Sequence, residues 1–181
     1  MRFSKFILAI ILASTVICPT LAQAKQVNCE YKEEAISDSN RVIPLKSMGI
    51  SITIPTNSRA VAKTDGTIQI LTAGVYKVLN CLATHPGAST LGRGFDSIII
   101  SKSTARSLYD GKYKSLGENK VLSWTITSNN GSIFYNIKLL IQSPMGLIEI
   151  NLPSEGPITS DSEVKEQINN LILIANSIHT L

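Results

Sequence analysis

The chain has 181 residues, 44% of them hydrophobic and 6% aromatic, with 17 basic residues against 13 acidic for a net charge of +4. That length suits one domain, and so small a charge excess gives no reason to expect nucleic acid or a strongly acidic partner. Two histidines and three cysteines, with no Cys or His pair at ligand spacing, leave no metal site to expect.

The first residues read as an export signal. Arg2 and Lys5 give a positive start, Phe6 to Ile17 an apolar core, and Ala22-Gln23-Ala24 a small-x-small cleavage site. The apolar run falls short of the about 20 residues that a membrane span needs. A lipid anchor on Cys18 is disfavoured by the bulky Ile17 before it, and no glycine precedes an apolar helix in the manner of a pilin. Cleavage after Ala24 removes Arg2 and Lys5 and brings the charge closer to neutral. What remains is large enough to bury roughly two-thirds of its unfolded surface. The expected organisation is a signal peptide over 1–24, an N-terminal arm over 25–47 and a single globular domain over 48–181. The expected destination is the periplasm, a thylakoid lumen or the extracellular space.

Export leaves Cys29 and Cys81, and an even pair in an oxidising compartment reads as a disulfide. Closing that loop contributes up to about 4 kcal/mol in the chain-entropy model. The alternative is a small buried Cys81 with a free Cys29 thiol on a mobile arm.

Residues Lys25 to Ser47 are polar and read as irregular, with Val27, Cys29 and Tyr31 alternating as a short edge strand. Gly49 to Pro55 alternates, with Ile50, Ile52 and Ile54 on one face and Ser51 and Thr53 on the other, a half-buried strand that Pro55 stops. Arg59 to Lys63 and Thr67 to Leu71 follow as strands around an Asp65-Gly66 hairpin turn. In Ala73 to Ala83, Val75, Leu79 and Leu82 recur at helical spacing, so helix is preferred, although Val, Tyr and Cys also suit a strand.

After the loop His85 to Gly94, Phe95 to Ser101 is an Ile-rich strand. Ser103 to Tyr109 reads as a short helix ended by Gly111, and Lys112 to Lys120 as a polar connection. A meander then runs through Val121 to Thr127, an Asn130-Gly131 turn, Ile133 to Gln142, a turn at Pro144 to Gly146, and Leu147 to Leu152. Ser160 or Asp161 caps the last helix, with Glu163 in its first turn and Val164, Ile168, Leu171, Ile172, Ala175 and Ile178 as its apolar face. The fold class is therefore α+β: an antiparallel sheet with the last helix on one face and the middle helices over part of the other.

Gly87 to Gly94, GASTLGRG, comes near the phosphate-binding pattern of two glycines five apart. Arg93 stands where lysine is needed, Gly94 lacks the hydroxyl for magnesium, and a strand rather than a helix follows. Nucleotide binding is not expected. Neither is a catalytic triad, since only His85 and His179 are available and no G-x-S-x-G elbow occurs. Arg93, Lys102, Arg106, Lys112, Lys114 and Lys120, with Tyr109 and Tyr113 interleaved, make a candidate basic face against Asp96, Asp110 and Glu118. A solvated face is the plainer explanation. The candidate contact residues are accordingly His85, Arg93, Gly94, Lys102, Arg106 and Lys112, with no cofactor.

The segments GISITIP, DGTIQIL and NCLA, then GRG before an Ile-rich strand, resemble exported proteins of cyanobacterial type. The layout of hairpin, meander and closing helix, with EVKEQINNLILIANSI at the end, looks like the PsbP-like family. That resemblance covers layout from about Gly49 onward. It implies an α/β/α sandwich and an extrinsic lumenal role beside photosystem II, and it carries no functional residue with it. Three functions remain open: an exported binding or accessory domain that acts on a membrane-associated complex, a small hydrolase using His85, and a structural envelope component.

Overall fold

The alternating isoleucines do form a strand, and it is the centre of a sheet that the sequence only half shows. In the computed structural model, which describes residues 27–90, 97–109, 112–129, 132–152 and 157–181, β2 (Ile50–Pro55) pairs antiparallel with β1 (Asn40–Leu45) on one side. On the other side it pairs with β10 (Ile178–Thr180). Ile50, Ile52 and Ile54 are all buried. The region 25–47, expected to be irregular, thus contains a six-residue strand. Its Arg41, Ile43 and Leu45 lie opposite Ile54, Ile52 and Ile50, so pairing to β2 orders a segment, NRVIPL, that shows no clear alternation of its own. The signal expected over 1–24 lies outside the described residues.

Between β1 and β2 the chain makes a single 3-10 turn, Lys46–Met48, closed by Gly49 at φ +65°. A side chain there would meet Met145 Cγ at 2.9 Å and Met145 N at 3.2 Å. Glycine is therefore required twice over, by torsion and by space.

The second sheet has seven strands, all antiparallel, in the order β3-β4-β5-β9-β8-β7-β6. They are β3 (Arg59–Ala62), β4 (Ile68–Leu71), β5 (Ser97–Lys102), β6 (Lys112–Ser115), β7 (Lys120–Asn129), β8 (Ser132–Ser143) and β9 (Gly146–Asn151). The expected meander is present as β7, β8 and β9. Its Asn130-Gly131 turn lies outside the described residues. The β3–β4 hairpin turns on Gly66 at φ +83°, with Asp65 Oδ1 accepting the Thr67 N–H at 2.8 Å.

Helix α1 (Ala73–Thr84) starts at Thr72, whose hydroxyl accepts the Val75 N–H, which resolves the helix-or-strand choice in favour of helix. Helix α2 (Asp161–Ser177) begins with a capping box, in which Ser160 and Glu163 bond each other's backbone N–H groups. Leu171, Ala175 and Ile178 are buried as expected. Ile178 itself has already left the helix and begins β10.

Two expectations between β5 and β7 fail. Residues 103–109 form turns rather than a helix, held by Ser103 N–H on the Leu147 carbonyl and Ser103 Oγ accepting the Ala105 N–H. Lys112 to Lys120, expected as a connection, contains strand β6, paired to β7 with Lys112 opposite Trp124. Both errors share a cause. The segments have no apolar periodicity of their own, and the neighbouring chain sets their conformation.

The main core lies between one face of the large sheet and a layer made of α2 and the small sheet. Ile68, Ile70, Ile100, Leu122, Leu139, Ile141, Ile148 and Ile150 meet Ile50, Ile52, Leu171, Ala175 and Ile178 there. Fully burying each such side chain contributes about 1.5–3 kcal/mol before the entropy of ordering is subtracted. On the opposite face, Val121 and Leu140 are covered by Leu108, with Ala105 and Leu147 beside them. Turns occupy this place, where the sequence predicted a helix.

The N-terminal residues form a strap. Cys29 is disulfide-bonded to Cys81 on α1, with Cα atoms 5.8 Å apart. Cys29 N–H donates to the Ser89 carbonyl at 2.9 Å. Farther on, the Lys32 carbonyl lies against Gly74 so closely that a Cβ on Gly74 would overlap it, and Glu34 pairs with Lys77. Among the described residues no helix is long and apolar enough to cross a membrane.

Candidate functional site

A cleft of about 700 Å³ lies where α2, β2 and the β4–β5 end of the large sheet meet. Pleating and helical pitch account for its lining. From β2 come Ile52, Thr53, Ile54 and Pro55, and from the large sheet Ile70, Leu71, Ser97 and Ile98. From α2 come Glu166, Asn170, Leu173, Ile174 and Ser177, spaced so that they fall along one stripe of the helix. Leu152 closes the end of β9 and Ile36 of the strap forms the outer wall. The buried lining is mostly apolar, and the exposed edge mixes Glu166 and Asn170 with Ile36 and Leu173.

Two large apolar side chains stand open at this cleft: Ile36 is 70% exposed and Leu173 67%. Ile36 is nevertheless held in place. Asn57 grips the backbone on both sides of it, donating from Nδ2 to the Ala35 carbonyl at 2.8 Å and accepting the Ser37 N–H on Oδ1 at 3.2 Å.

At the β2–β3 end of the cleft, the carbonyl of Ser58, a lining residue, accepts from two guanidiniums. Arg41 Nη2 donates to it at 2.7 Å and Arg59 Nη1 at 3.0 Å, and the same Arg59 nitrogen also donates to the Thr56 carbonyl at 3.1 Å. One oxygen holds both, so the guanidiniums lie within about 6 Å of each other, where like charges repel. Among the described residues neither forms an ion pair, the pairs there being Lys77–Glu34 and Lys138–Glu149. Sequence reading missed both arginines. Arg41 lay in a region read as irregular, Arg59 in a weak strand, and no spacing rule links them.

A separate polar cluster occupies the opposite face of the large sheet. Glu149 Oε2 accepts from Lys138 Nζ at 2.8 Å and Ser103 Oγ at 3.1 Å, while Oε1 accepts from Asn151 Nδ2 at 3.0 Å. Burial pushes the Glu149 carboxyl up. The hydrogen bonds from Lys138 and Asn151, with the Lys138 charge, outweigh it and hold the group below the usual glutamate range. The cluster is internally satisfied, and none of its residues lines the cleft.

The residues predicted as contacts do not assemble there. Arg93 and Gly94 lie outside the described residues. His85 is exposed at the end of α1, its Nδ1 3.1 Å from both the Cys81 carbonyl and Thr84 Oγ1, a helix-terminating arrangement. Lys102 closes β5 and Lys112 opens β6. Those strands stand four positions apart in the sheet, about 19 Å at the usual strand spacing. Arg106 belongs to the turns over the other face. Tyr109 and Tyr113 do meet, with ring centroids 5.1 Å apart. Among the described residues no group of three or more His, Cys, Asp or Glu side chains is placed to hold a metal ion. No protein-family model matches the chain, and no curated protein matches its sequence.

Proposed function

We propose that the protein is an exported binding domain whose working site is the cleft between α2 and the two sheets, and that its ligand is a small molecule with an apolar body. The observation that carries this reading is the cleft itself. It has the volume and the mostly apolar lining with a few polar groups that ligand pockets show, and Ile36 and Leu173 stand exposed at it where burial against a ligand would be favourable. An accessory role beside a membrane-bound complex, which the PsbP-like resemblance implies, is compatible with such a domain and belongs to the same proposal. A hydrolase built on His85 has less support, because its Nδ1 faces its own helix end.

The test is a fluorescence titration with N-phenyl-1-naphthylamine, a neutral probe that brightens in apolar surroundings. Saturable binding to the wild type is expected, weakened about tenfold or more in Leu173→Glu, which puts a charge at the cleft. Leu173 is largely exposed, so the thermal midpoint should hold. Equal binding by both proteins places the probe elsewhere and refutes the reading.

A further inference from the structure

We infer that the cleft takes amphipathic anions, molecules in which a carboxylate or phosphate head is joined to the apolar body, and that Arg41 and Arg59 receive the head. This rests on the cleft reading above and adds the ligand's charge to it. Three features of the β2–β3 end support it.

The first is proximity without neutralisation. The Ser58 carbonyl draws two guanidiniums together at 2.7 and 3.0 Å, yet no carboxylate of the described residues pairs with either. One neutral oxygen offsets little of that repulsion, whereas an anion between them would remove it. The second is donor supply. Each guanidinium has five N–H groups in a planar fork matched to carboxylate and phosphate oxygens. These bonds involve a single nitrogen on each guanidinium, so donors remain for a ligand. The third is continuity. Ser58 and Pro55 line the cleft, so a head group at the arginines leaves its apolar body over Ile54 and Ile70. The one acidic side chain of the lining, Glu166, lies on α2 rather than on the β2–β3 turn. It opposes anions in general, so the expected preference depends on the head reaching the arginine end.

The experiment compares cis-parinaric acid with its methyl ester, the same chain with and without charge, on the oxidised full-length protein. In the wild type the acid should bind about tenfold tighter than the ester at low ionic strength, the gain of a charge-assisted hydrogen-bonded pair. The difference should shrink as salt is raised. In R41Q/R59Q the acid should fall to the ester's affinity while the ester is unchanged. A phosphate-headed alkyl chain should follow the acid, and inorganic phosphate alone should compete with the acid and leave the ester bound. Acid and ester binding equally to the wild type, or a preference that survives R41Q/R59Q, overturns this inference and leaves the cleft reading standing. Failure of both probes to bind overturns the two together.

Discussion

Glu149 shows how one residue can be expensive to bury and still favour folding. Burial raises its pKa, and three donors from Lys138, Asn151 and Ser103 more than offset that. Its folded-state pKa is therefore depressed relative to the unfolded chain, and the folded protein binds fewer protons in the window between the two. The stabilisation is fully present above the ordinary glutamate value of 4.5 and is lost as the pH falls below it through the depressed value. Glu149→Gln should cost about 1–3 kcal/mol near neutral pH, mostly by leaving Lys138 without its counter-charge. Urea denaturation across the acid range checks this: the gap between wild type and variant should narrow as the pH drops. A gap independent of pH would show that the ionised carboxylate is not the stabilising form. Asp65 and Glu163 are also lowered, through bonds from Thr67 and from Ser160 and Thr159 respectively, and their acid dependence persists in both proteins.

Among the elements, α2 makes the clearest case for tertiary capping. Its N-terminus is satisfied by its own capping box, which settles on Ser160 the choice between Ser160 and Asp161 that the sequence left open. Its C-terminus has no basic residue in the last turn. Lys120 reaches across from β7 instead, donating to the carbonyls of Ala175 at 2.7 Å and Ile178 at 2.6 Å. Burial lowers its pKa, a desolvation cost that the two carbonyls and the helix dipole work against. Lys120→Met keeps the stem and removes the donors, so it should destabilise the fold by about 1–3 kcal/mol in urea. An unchanged midpoint would mean that water replaces the ammonium. The contrast marks what a sequence can and cannot say. Ile50, Ile52 and Ile54, the β7–β9 meander and the α2 cap are local patterns, and each was readable. Strands β1, β6 and β10 have little of it: β1 and β6 are each set by the strand that follows them in the chain, and β10 by β2, far away in sequence. The cleft was hidden for the same reason: Ile36, Ile54, Ile98 and Leu173 become neighbours only once two sheets and a helix are assembled. Lys112 and Lys114, read as part of a basic face, sit exposed on edge strand β6, where charge deters pairing with another chain.

At the scale of the molecule, the Cys29–Cys81 bridge ties the strap to α1 across 52 residues. Replacing both cysteines with serine should lower stability by up to about 4 kcal/mol, less whatever order the strap keeps through Asn57 and Lys77. In protein that starts at Lys25 and so lacks Cys18, alkylation followed by mass measurement should add two labels after reduction and none before. In the variant, amide exchange should quicken first over residues 27–39. A protein that takes both labels without reductant would show the bridge open in solution. The small sheet carries a different consequence. Its central strand β2 has β1 directly before it, but its other edge is filled by residues 178–180. Until those residues arrive, a folding chain presents an unpaired β2 edge beside an unsealed core. Two such chains side by side could each lend β10 to the other, since the docking contacts would be identical. Slow refolding at high concentration should therefore yield strand-exchanged dimers, and size-exclusion chromatography of protein refolded at rising concentrations checks this: an elution profile independent of concentration would rule it out.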